Sequence, residues 1–103
     1  MASSVDLLTP FNFHSWKGDM EIQLCARRLY RVTMDNEEEP AHVIDKDRFL
    51  NKKYEAFRFL GLSISWDLLF HISGLKTPKE IWEKLETLYD LRVYQLENEL
   101  MSL

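Results

Sequence analysis

The chain has 103 residues, 46% apolar and 13% aromatic, which is the size of one ordinary domain and too apolar for a disordered segment. A formal net charge of −4 repels phosphate, so direct nucleic-acid binding by this segment is not expected. One cysteine, Cys25, excludes an internal disulfide and points to an intracellular, cytoplasmic setting, while only 3 Gly and 3 Pro favour an all-α fold.

Residues 1–12 read as an extended N-terminal segment, because Pro10 disfavours helix at Thr9. Leu7, Leu8, Phe11 and Phe13 are apolar enough to pack down. Residues 13–103 read as one helical domain. Its first helix, capped by Asn12 or Ser15, is predicted to run to about Val32. It carries two stripes, Phe13, Trp16, Met20 and Leu24 on one side and Ile22, Cys25, Ala26 and Leu29 roughly opposite. A helix apolar on two sides is either central in its bundle or paired with a second chain on its outer side. Ile22 and Leu29 are therefore candidates for self-association. Cys25, on an apolar stripe, reads as a small core residue rather than a nucleophile. Arg27 and Arg28 suit the negative end of the helix dipole. Asp35 to Pro40 reads as a charged, solvated loop, with the alternative that its acids meet a basic partner.

Asp45 can cap a second helix, 45–61, with Phe49, Leu50, Tyr54, Phe57 and Leu60 as its core stripe. Phe59 points away from that stripe and is a candidate surface aromatic for self-association. Ser63 or Ser65 then caps a short helix through Trp66, Leu68, Leu69, Phe70 and Ile72, closed by Ser73-Gly74. Thr77 to Tyr89 is the most explicit stretch. Thr77 is an N-cap, Pro78 fits the first helical position, and Glu80 completes a capping box. Ile81, Trp82, Leu85, Leu88 and Tyr89 share one face, with Glu83, Lys84, Glu86 and Thr87 on the other. The core is thus expected to be organised by Trp16, Met20, Leu24, Trp66, Ile81, Trp82, Leu85 and Tyr89. Val93, Leu96, Leu100 and Leu103 prolong an apolar seam, in one long helix or in two with a bend near Asp90 to Arg92. The last helix, 91–103, reads as truncated, its seam a further candidate for self-association. The whole is a compact bundle of four to five helices.

No pattern announces catalysis. Gly61-Leu62-Ser63-Ile64-Ser65 starts like a nucleophile elbow but lacks the second glycine and a preceding strand. His14, His42 and His71 are far apart and a single cysteine supports no zinc pattern, so no metal is expected. His71 reads as a partly buried helix residue. There is no Gly-rich phosphate loop and no marked carboxylate pair, so neither a cofactor nor an enzyme is expected. No apolar run nears the roughly 18 residues of a membrane span, and Met1-Ala2-Ser3-Ser4, with no basic start or apolar run, does not read as a signal peptide.

Three blocks carry a family resemblance. Asn12-Phe13-His14-Ser15-Trp16-Lys17, followed by Met20 and Leu24, resembles the N-F-x-x-W-K-x-x-M-x-x-x-L opening of the Gag protein of copia-type LTR retrotransposons. Ile64-Ser65-Trp66-Asp67-Leu68-Leu69, then Ile72, is similar to the family's I-x-x-x-L-L segment. Lys76-Thr77-Pro78-Lys79-Glu80-Ile81-Trp82-Glu83-Lys84-Leu85, followed by Tyr89, is similar to its K-T-x-K-E-I-W-x-x-L-x-x-x-Y. The blocks stand in the family's order across residues 8–103. Pro10-Phe11 stand where the family usually has a glycine, so the opening turn differs. The resemblance implies a capsid N-terminal domain that self-associates into virus-like particles, in a retrotransposon or a domesticated relative. It implies two partners, the domain itself and a C-terminal Gag region. The alternative is a helical module derived from Gag that binds a protein or peptide segment between its helices.

Overall fold

The computed structural model describes residues 6–89. Its elements are α1 (Phe13–Ala26), α2 (Tyr30–Thr33), α3 (Val43–Leu62), a 3-10 helix (Trp66–Ile72) and α4 (Pro78–Tyr89). The fold is all-α. Among the described residues no strand forms, and extended pairing is limited to one parallel bridge between Leu8 and Ile64.

α4 starts where its sequence predicts. The Glu80 backbone N–H donates to Thr77 Oγ1 at 3.2 Å, and the Thr77 backbone N–H donates to Glu80 Oε1 at 3.0 Å. This reciprocal pair is a capping box, with Pro78 in the first turn. The helix buries Pro78, Ile81, Trp82 and Leu85. Leu88 is exposed at the edge of that face and Tyr89 is half-buried.

α1 is shorter than predicted. It ends at Ala26 because Arg28 takes a left-handed backbone conformation, φ 60°. The Leu29 N–H then donates to the Leu24 carbonyl at 2.8 Å and the Arg28 N–H to the Cys25 carbonyl at 3.0 Å. That is a Schellman closure, with Leu29 and Leu24 both buried as its apolar contact. α2 ends the same way. Asp35 has φ 59°, and the Asn36 N–H reaches the Arg31 carbonyl at 2.8 Å. Neither left-handed position is a glycine, which is why the sequence reads as one unbroken helix to Val32.

His42, not Asp45, stands at the N-cap position of α3, with no side-chain capping bond, and Asp45 lies in the first turn. Its core stripe is Phe49, Ala56 and Leu60. Leu50 and Phe57 are half-buried, whereas Tyr54, predicted in the core, is exposed. Helix α3 packs on α2 and α4, and those contacts select the side centred on Ala56. Cys25, also predicted in the core, is exposed, because α1 buries only the Phe13, Trp16, Met20 and Leu24 stripe.

The N-terminal segment is pinned at one point. The Ser63 carbonyl accepts the Leu8 N–H at 2.8 Å and Trp16 Nε1 at 3.0 Å, and the Ser65 N–H returns to the Leu8 carbonyl at 3.0 Å. Leu8 is fully buried there, while Leu7 and Phe11 are exposed. Asn12 precedes α1, but its side chain turns back, accepting from the Thr9 N–H at 2.7 Å and donating to the Leu7 carbonyl at 3.0 Å. The Lys17–Glu86 ion pair, 2.9 Å, ties α1 to α4.

Candidate functional site

The predicted core organisers divide. Trp16, Met20, Leu24, Ile81, Trp82 and Leu85 are buried together. The Trp16 and Trp82 rings lie tilted against each other, 6.0 Å between centroids, and Phe13 bridges Trp16, on which it stacks, and Tyr89, 6.2 Å from each. Tyr89 packs at the edge of this cluster, and burial, helped by the negative charge of Asp67, raises its phenol above the ordinary value of 10.0. Trp66 is the correction. It is 85% exposed, and the 3-10 helix that carries it buries only Leu68.

The self-association candidates divide as well. Leu29 is a correction, because the left-handed turn at Arg28 swings it inward until only 1% is exposed. Phe59 is another. It is half-buried against the core, and the Arg27 guanidinium lies 4.2 Å over its ring. Ile22 stays exposed on the outer side of α1. Val93, Leu96, Leu100 and Leu103 lie outside the described residues.

Among the described residues, no three His, Cys, Asp or Glu side chains gather closely enough to hold a metal ion. His71 is half-buried at the end of the 3-10 helix, its ring 4.0 Å from Phe70 and 6.3 Å from Tyr89. The acidic loop folds back on α3. Glu37 pairs with Lys52 at 3.1 Å and Glu39 with Lys46 at 3.8 Å, which neutralises part of the run within the chain. No helix of the described part is long and apolar enough to cross a membrane.

What stands out instead is the outward side of α3 and the 3-10 helix after it. Val43 is 73% exposed, Ile44 59%, Tyr54 62% and Leu62 79%, and on the 3-10 helix Trp66 and Phe70 are exposed too, Phe70 at 69%. At 3.6 residues per turn, Val43, Ile44, Asp47, Asn51, Tyr54, Arg58, Gly61 and Leu62 fall on one side of α3. A shallow, mostly apolar cavity of about 280 Å³ opens at its C-terminal end, between Phe57, Arg58, Gly61, Leu62 and Leu69. Sequence reasoning missed this face. The signal was there in Val43, Ile44 and Leu62, which lie outside the stripe that α3 buries.

The fold and its surface define the class: an all-α domain whose described residues assemble an aromatic core and leave large apolar side chains exposed on α3 and the 3-10 helix. No protein-family model, no characterised protein and no solved structure matches the chain.

Proposed function

We propose that this chain is a self-associating structural domain, the capsid-like region of a copia-type retrotransposon Gag or of a domesticated relative, which packs against copies of itself in a virus-like particle. The observation that carries this reading is the set of large apolar side chains left exposed at both ends of α3 and on the 3-10 helix. Exposed apolar surface rimmed by polar residues marks contact sites. The family resemblance adds support from the other side. Phe13 and Trp16 of its first block, Ile64 and Leu68 of its second, and Ile81, Trp82 and Leu85 of its third are all core residues. The motif positions hold the domain together, which leaves the outer face available for contact. In this reading the partners are the domain itself and a C-terminal Gag region. The setting is cytoplasmic, and the acidic segment leaves RNA contacts to other parts of the polyprotein.

Sedimentation velocity and light scattering across a concentration series test the proposal, together with electron microscopy of particles from the full open reading frame. Concentration-dependent association supports it. A single monomeric species at the highest soluble concentration overturns it. The cavity between α3 and the 3-10 helix favours a second reading, a Gag-derived module that takes an apolar peptide segment. A monomer that binds amphipathic peptides there would establish that reading instead.

A further inference from the structure

We propose that two copies of this chain pair through antiparallel α3 helices, about a two-fold axis at the level between Lys52 and Lys53; the proposal rests on the self-association reading and names its interface. The argument is the order of residues along the exposed side of α3. Antiparallel pairing about that level sets Val43 and Ile44 level with Gly61 and Leu62, Ile44 facing Leu62 on one flank and Val43 facing Gly61 on the other, with Asp47 opposite Arg58 and Asn51 opposite Tyr54, each pair occurring twice by symmetry. Apolar residues meet apolar residues at both ends, an acid meets a base inside them, and an amide meets a phenol near the middle. The face is complementary to itself.

Three features bear on this pairing. Asp47 and Arg58 are exposed and make no ion pair among the described residues. On the flank, exposed Arg48 of one copy approaches exposed Glu55 of the other, a second opposite-charge contact. Space is also present for the incoming side chain. Nothing lies within 4 Å of the position a Cβ at Gly61 would take, and the cavity beside it receives Ile44 and Val43 of the second copy. Parallel pairing in register would set Asp47 on Asp47 and Arg58 on Arg58, and like charges across a contact select against it. One helix pair is small beside the roughly 800 Å² per partner of a standard interface, so the dimer is weak and concentration-dependent.

Charge reversal on the intact chain tests the pairing. Asp47→Arg and Arg58→Asp each create a like-charge contact twice. Each should weaken association about a hundredfold, at about tenfold per contact. Both positions are exposed, so circular dichroism should show unchanged helix content. The decisive sample is an equal mixture of the two variants. A chain with arginine at 47 and 58 meets one with aspartate at both, and every contact is again opposite in sign. The mixture, and the double swap Asp47→Arg with Arg58→Asp, should recover wild-type association, and the double swap keeps the test valid if a single variant folds poorly. If wild type associates and Asp47→Arg associates as tightly, the interface is elsewhere and the self-association reading stands. If the single variants weaken but neither the mixture nor the double swap recovers, the antiparallel register is wrong. A monomeric wild type at every concentration overturns the pairing together with the reading beneath it.

Discussion

Trp66 and Trp82 sit in consecutive helices, each following a hydroxyl-bearing residue at the helix start, yet one ends exposed and the other buried. Trp82 is 5% exposed and Trp66 85%. The difference lies in the helices that carry them. α4 is 12 residues long, and its apolar and polar residues separate cleanly at a period of 3.6, so Trp82 belongs to a stripe that has one way to be buried. The 3-10 helix is 7 residues, Trp66 to Ile72, and apolar nearly all round. At three residues per turn no side of it is polar enough to choose the outward face. Leu68 goes in, and Trp66, at the first position, goes out. A large apolar side chain is a reliable core signal when a long stripe supports it, and a poor one alone in a short segment.

The most direct way to break that comparison is to truncate both rings. Trp82→Ala should cost about 3–5 kcal/mol, a large share of a small domain's stability. Trp66→Ala should change stability by no more than about 0.5 kcal/mol. Thermal melts read both, and equal losses would mean that the two rings play the same structural part after all. Next in size is the start of α4, which decides which way Trp82 faces. Thr77→Ala should cost about 0.5–2 kcal/mol. Combined with Glu80→Ala it should cost less than the sum, because the two residues form one box; full additivity in a double-mutant cycle would argue that the box does not act as a unit.

The end of α1 gives the opposite case, a helix boundary that its own sequence resists. Arg28→Gly relieves the left-handed backbone and should stabilise by about 0.5–1 kcal/mol, against the flexibility that glycine adds to the unfolded chain. A loss of stability in denaturant unfolding would show that the arginine side chain, not the turn, holds the boundary. The smallest effect is on pH. The Glu80 carboxylate is held below its ordinary 4.5, first by the Lys76 backbone N–H and then by the Thr77 hydroxyl. A lowered folded value means that its stabilisation is complete above the ordinary value and is lost as pH falls through the folded one. Wild type should therefore show a slightly steeper acid limb than Glu80→Gln, and superimposable limbs would show that the cap carries no charge-dependent stability.

The sequence by itself determined the all-α class, the capping box of α4 and the buried stripes Phe13, Trp16, Met20, Leu24 and Ile81, Trp82, Leu85. It determined them because caps act over three residues and a helix stripe repeats over four, so the physics lies within a short window of chain. Only the tertiary structure decided that Leu29 turns in, that Cys25, Tyr54 and Trp66 face out, and that Phe59 lies under Arg27. It also left Val43, Ile44, Tyr54 and Leu62 on the open side of α3. Where a segment offers two apolar sides, the buried one is chosen by whatever packs against it, and that partner is distant in sequence. Trp16 closes on the carbonyl of Ser63, 47 residues away, and no local pattern encodes which far segment will arrive.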